Sequence, residues 1–182
     1  MTVATARWTL EDYHQMIAVG LLEGRSVELL NGLIVEMSPE SPAHAQKSTN
    51  GADHLRECLG RRALIRDAKP ITLPSCNSEP EPDIAVVVPN REVYCNRHPY
   101  PDDIFLLIEY ANTSLEKDLN EKRKTYAKAG IQEYWVVDLN RRQVLVLRQP
   151  QGGDYTVETV VVEGDISPIA FPDITVKIKR LL

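Results

Sequence analysis

The stretch IFLLIEYANTSLEKDLNEKRKTYAKAGIQEYWVVDL, residues 104–139, decides how this chain folds. It opens with five apolar residues in succession before Glu109, crosses a heavily charged segment, and resumes with Tyr134, Trp135, Val136 and Val137. Unbroken apolar runs of this length describe strands covered on both faces, not strands with one wet side. The charged segment 115–130 has helical spacing, and Gly130 suits the left-handed residue just beyond a helix end. Strand, helix and buried strand (131–139) are predicted in that order.

Working outward, EPDIAVVV (81–88) reads as another covered strand, and residues 63–74 as one ended by Pro74. Upstream, SVELLNGLIVEMS (26–38) places two apolar-rich runs around Asn31-Gly32, a pair that tolerates positive φ at both centres of a hairpin turn. Residues 42–59 read as a helix that Gly51 weakens, and residues 9–22 as an amphipathic helix begun by a Thr9–Asp12 capping box. Downstream, RQVLVLR and YTVETVVV flank QGGD as a second hairpin, and ITVKIKR (174–180) is expected to edge the sheet. Helix, hairpin, helix, three strands, helix and further strands make an α+β chain with a mixed sheet, not regular β-α-β winding.

The 182 residues suit one domain, 1–182, with a full-sized core. A composition of 43% hydrophobic and 26% charged residues is that of a globular chain, which excludes a disordered one. No apolar run approaches the roughly 20 residues that span a bilayer, and no basic segment leads an apolar one at the N-terminus. The expectation is a cytoplasmic protein with no membrane partner. Cys58, Cys76 and Cys95, odd in number and without CxxC spacing, read as thiols of a reducing compartment. A formal charge of −5 argues against a general nucleic-acid coating protein. It is compatible with a site of carboxylates whose charge a divalent ion offsets.

Three residues break local rules in ways that converge. Asp83 opens one covered strand and Glu109 closes another. If the two strands run antiparallel, both carboxylates meet at one end of a buried sheet. They repel there unless a cation or proton lies between them, and a hard divalent ion with oxygen ligands resolves the conflict. On a helical wheel of about 100° per residue, Leu115, Leu119, Lys122 and Tyr126 share one face, so Lys122 sits inside an apolar stripe. A lysine there either snorkels to the rim or finds anionic partners. A metal held by Asp83 and Glu109 would polarise a phosphoryl oxygen and acidify water, while Lys122 would stabilise developing charge. The plainer alternatives are solvated strand-end carboxylates and a snorkelling lysine. Tyr126 and Trp135 read as packing residues, and His14, His54 and His98 lack ligand spacing.

At these residues the chain resembles a bacterial family of restriction-endonuclease-like proteins within the PD-(D/E)XK nuclease superfamily. The resemblance runs from VELLNGLIVEMSPESPAH through EPDIAVVV and LLIEYANTS to DLNEKRKTYAKAGIQEYWVVDL. It implies a restriction-endonuclease-like core: a mixed, mainly antiparallel central sheet flanked by helices, with N- and C-terminal β-hairpins. It makes Asp83 the motif aspartate and Glu109 the motif glutamate, binding Mg²⁺ or Mn²⁺. Ala111 stands where the motif lysine is usual, and Lys122 takes that role from the following helix. Glu28 is implied as a further metal ligand and His44 as a catalytic residue near the site. The expected function is hydrolysis of DNA phosphodiester bonds by a homodimer. The alternative is a non-catalytic module that keeps the nuclease fold for binding or assembly, and Ala111 and the acidic charge favour it. A carboxylate-pair glycosidase is disfavoured by Lys122 in the stripe and by the lack of aromatic clusters near Asp83 and Glu109. The absence of a Walker loop, GxGxxG or GxSxG disfavours P-loop and serine hydrolases.

Overall fold

Residues 104–139 supply β5 (Ile104–Ala111), a helical crossover, and β6 (Glu133–Asp138), with β5 and β6 parallel in the sheet. A computed structural model describes residues 6–111 and 118–182. The described crossover starts as a π-helical turn, Asp118–Lys122, and continues as α3 (Arg123–Lys128). The predicted start of this helix at residue 115 lies outside the described residues. Gly130, at φ 82°, ends it as the sequence requires.

Beside β5 lies β4 (Ile84–Val87), antiparallel, and beyond it β3 (Leu64–Asp67). On the other side β6 is followed by β7 (Gln143–Gln151) and β8 (Asp154–Val161), joined through Gly152 and Gly153 at positive φ. The sheet order is β3-β4-β5-β6-β7-β8, and every pairing except β5–β6 is antiparallel. A helical crossover carries the chain back to the starting end of the sheet, so a parallel pair arises there.

Alternation along the strands serves two cores. Ile84, Val86, Leu106, Ile108, Tyr110, Trp135 and Val137 face α2 (Pro42–Leu59), where Ala52, Leu55 and Leu59 meet them. Ala85, Val87, Leu107, Ala111, Tyr134 and Val136 face Tyr126 and Ala127 of α3. Full burial of each Leu or Ile stabilises the fold by about 1.5–3 kcal/mol, so both faces hold the sheet. Gly51 has a specific place in this packing. A Cβ built on it would lie 1.9 Å from Oη of Tyr110. The glycine that weakens α2 locally is what lets it close on β5.

α1 (Leu10–Ala18) carries the predicted capping box, Thr9 with Asp12, but stops earlier than residue 22 because Gly20 turns the chain at φ 76°. The hairpin β1 (Val27–Leu30) and β2 (Leu33–Glu36) turns at Asn31 (φ 49°) and Gly32 (φ 74°). It forms its own two-stranded ladder, tied by Asn31 Nδ2 donating to Thr125 Oγ1 of α3 at 2.8 Å.

Two expectations are corrected. The strand expected over 63–74 ends at Asp67, where Ala68 takes a positive φ of 43°, and only Leu73 pairs again, with Ser78. ITVKIKR does not edge the main sheet, whose edges are β3 and β8. Only Val176–Lys177 is extended (β10), and it pairs with β9 (Asp165–Ile166). Val176, Ile178 and Leu181 are fully buried in the α2-side core, so the apolar residues of this tail cover a sheet face.

Candidate metal centre

The β4–β5 register pairs Ile84 with Ile108, so the next positions outward, Asp83 and Glu109, are opposite one another at one sheet end. Asp83 lies just before β4, and its Oδ2 accepts the Tyr110 N–H at 2.6 Å. That bond holds the carboxylate against the end of β5. The same Oδ2 is 3.1 Å from Nε2 of His44. His44 reaches it from the first turn of α2, where Pro42 stands at the helix start and Ser41 Oγ accepts the His44 N–H.

Glu109 points to the α3 face and is 3% exposed. Its Oε1 accepts from Lys122 Nζ at 2.7 Å and from Tyr126 Oη at 2.8 Å. Lys122 is 6% exposed, so it does not snorkel; it ends the π-helical turn with its ammonium among carboxylates. Wide turns of this kind recur at functional sites. Glu28 Oε2, on β1, lies 3.8 Å from the same Nζ and accepts the Glu81 N–H. A buried carboxylate and ammonium need each other's charge and further hydrogen bonds to offset desolvation, and Glu109 has both. Burial, with the neighbouring Glu109 charge, drives the Tyr126 phenol well above its ordinary pKa, so it remains a neutral donor. Burial and the Glu28 charge push the Glu81 carboxyl upward.

Asp83, Glu109, Lys122, Glu28 and His44 thus gather at one end of the sheet around two centres: Asp83 with His44, and Glu109 with Lys122 and Glu28. Ala111, where a motif lysine would stand, is fully buried in the α3-side core. The ammonium of Lys122 reaches Glu109 from the helix instead. The other histidines lie elsewhere: His14 pairs with Glu79, and His54 Nε2 accepts the Lys177 N–H. Trp135 is core, its Nε1 donating to Glu133. The three cysteines are free thiols.

Two participants escape sequence reasoning. Tyr126 packs, as its spacing suggests, but its hydroxyl also grips Glu109; the helical wheel gives the packing and not the bond. Glu40 joins His44 and Asp83 in a group whose ligand atoms all lie within 4.8 Å of one another. It precedes the N-cap Ser41, so helical spacing from His44 does not apply to it. Two carboxylates and an imidazole form a donor set that suits a divalent cation.

A family model described as "Putative restriction endonuclease" (Uma2) matches residues 10–179. The chain belongs to this family. Its fold is that of a crystal structure of "a putative nuclease belonging to DUF820" from Anabaena variabilis ATCC 29413. The two chains are 19% identical with a TM-score of 0.70, and the match covers 95% of this chain and 96% of that one. No curated protein matches. The Uma2 family assignment agrees with the resemblance carried by residues 27–44, 81–88, 106–114 and 118–139. Among the described residues no helix is long and apolar enough to cross a membrane.

Proposed function

We propose that this Uma2-family chain is a divalent-metal-dependent endonuclease that hydrolyses phosphodiester bonds of DNA, with Mg²⁺ or Mn²⁺ as cofactor. The observation that carries this reading is the Lys122–Glu109 pair at the sheet end where Asp83 and His44 also lie. In it the helix lysine supplies the ammonium that Ala111 lacks.

Asp83, Glu109 and Glu28 are the proposed oxygen ligands. The bound ion would supply Lewis acidity toward a phosphoryl oxygen and toward water. The chain's own residues do the rest. The Tyr110 N–H fixes Asp83, and the Tyr126 hydroxyl and Lys122 fix Glu109, so the carboxylates are set before substrate arrives. Lys122 presents a compact positive charge where the scissile phosphate accumulates negative charge. His44, 3.1 Å from Asp83 Oδ2, is a further proposed site residue. Cutting both strands of a duplex calls for two related sites, so a homodimer is the proposed working form.

Nicking of supercoiled plasmid with Mg²⁺ or Mn²⁺ tests the reading. Wild type should nick, and Asp83→Ala and Lys122→Ala should not. Absence of cleavage under every metal, or cleavage that survives both substitutions, would leave a nuclease-fold module that binds or assembles without hydrolysis.

A further inference from the structure

We infer that Glu40 and His44 complete the donor set around the cation held by Asp83, with His44 Nε2 as a nitrogen ligand that shifts preference from Mg²⁺ toward first-row transition ions such as Mn²⁺. The inference rests on the metal-dependent reading above and names the ion's neighbours on the helix side.

Three observations support it. First, one ligand atom from each of Glu40, His44 and Asp83 falls within a 4.8 Å span. Donors about 2.1 Å from one ion lie at most about 4.2 Å apart. Glu40 is exposed while His44 and Asp83 are partly buried, so a small inward swing of Glu40 closes the group. Second, His44 Nε2 is itself buried and stands 3.1 Å from Asp83 Oδ2, which aims the imidazole at the carboxylate and not at solvent. An acidic cluster alone would not indicate an ion; two carboxylates with an imidazole are a donor set that fits the divalent ion of the proposed function. Third, Glu109 Oε1 is already engaged by Lys122 and Tyr126, so donors beside Asp83 add to what β5 supplies.

The backbone favours this arrangement. Glu40 and His44 flank the cap of α2, where Ser41 and Pro42 fix the chain, and Gly51 lets the helix lie close enough to Tyr110 for His44 to reach Asp83. Mg²⁺ prefers oxygen ligands and retains several waters, whereas a mixed nitrogen and oxygen set suits transition ions. His44 is thereby a ligand, not a proton carrier.

Mn²⁺ titration of the full chain, followed by electron paramagnetic resonance, tests the inference without turnover. Wild type should bind Mn²⁺ and show ¹⁴N coupling from a directly bound imidazole. His44→Gln should lose that coupling, and Glu40→Gln should weaken Mn²⁺ binding roughly tenfold or more, the loss that even an outer-shell partner produces. Mg²⁺ should displace Mn²⁺ more readily from His44→Gln than from wild type. Circular dichroism establishes that each variant is folded. No Mn²⁺ binding, no ¹⁴N coupling in wild type, or unchanged binding in both variants overturns the inference. Plasmid nicking separates the two readings. If Asp83→Asn abolishes binding and nicking while Glu40→Gln and His44→Gln match wild type, the nuclease stands and this ligand set falls. Nitrogen-coupled Mn²⁺ without nicking gives the reverse.

Discussion

Lys122 Nζ approaches Glu109 Oε1 to 2.7 Å with both side chains almost wholly buried, although the residues belong to different elements joined by a crossover. The contact joins the fold to the proposed chemistry, because the ammonium that stabilises the buried carboxylate is also the charge that the proposed function offers to phosphate. Glu28, 3.8 Å from the same nitrogen, adds a second carboxylate that depends on it.

Removing the ammonium should therefore cost stability as well as nicking. Lys122→Met leaves Glu109 buried without its counter-charge, a loss of about 3–5 kcal/mol in unfolding free energy. Lys122→Met with Glu109→Leu removes one of the two carboxylates left without the ammonium and should recover part of that stability while remaining inactive, since Glu28 still lacks its counter-charge. Urea unfolding measures the first effect and plasmid nicking the second. If the double variant is no more stable than the single one, the pair is not the unit described here.

Tyr126→Phe removes only the hydroxyl that donates to Glu109 at 2.8 Å. Hydrogen bonds to charged acceptors are worth about 1.5–3 kcal/mol, and a loss of that size is expected in urea. Because the phenol is held far above its ordinary pKa, the bond should persist unchanged to at least pH 9. The stability difference between Tyr126→Phe and wild type should thus be the same at pH 7 and pH 9. A difference that shrinks between these values would mean that the phenol ionises.

The covered strands, the Asn31-Gly32 turn and the helix carrying Lys122 were legible because each follows from local periodicity or turn chemistry. Asp83 and Glu109 were legible for a related reason: a carboxylate ending an apolar run is conspicuous, and antiparallel pairing brings two such ends together. What was not legible depended on tertiary placement. Glu40 sits before a helix cap, where no period relates it to His44. The apolar residues of 174–180 suit a strand or a buried tail equally, and the docked helix α2 decides for the tail. Gly51 read as a weakness because its partner, Tyr110, is far away in sequence.

That partnership gives a sharper prediction. Gly51→Ala should destabilise the protein even though alanine favours helices, because its Cβ meets Tyr110 Oη at 1.9 Å. Overpacking of this kind costs about 1–3 kcal/mol. The Tyr110 hydroxyl is buried and has no hydrogen-bond partner among the described residues, so Tyr110→Phe alone should be neutral or stabilising. Combined with Gly51→Ala it should relieve most of the clash, leaving Tyr110 Cζ at 3.1 Å from the added Cβ. A double-mutant cycle in thermal unfolding reads the coupling, and additive effects would place the strain elsewhere.

The pH dependence of stability should bear the mark of His54, whose Nε2 accepts the Lys177 N–H. Burial first, and then the Arg180 charge, hold its pKa below the ordinary 6.5. Between its folded value and 6.5 the unfolded chain binds more protons than the folded one, so stability rises with pH through that window and falls as pH drops below 6.5. His98, lowered mainly by burial, acts in the same direction. The lowered carboxyls of Asp12, Asp154 and Asp173 titrate from 3.8 downward, below this window. Glu81, raised by burial, opposes the histidines by gaining protons in the folded state above 4.5. Subtraction isolates His54: the fall in urea midpoint from pH 7.5 to pH 5.5 should be smaller in His54→Gln than in wild type, because the other groups, His98 and Glu81 among them, act in both proteins alike. An equal fall in both proteins would show that His54 carries its proton as readily folded as unfolded, and that the Lys177 contact does not need its neutral form.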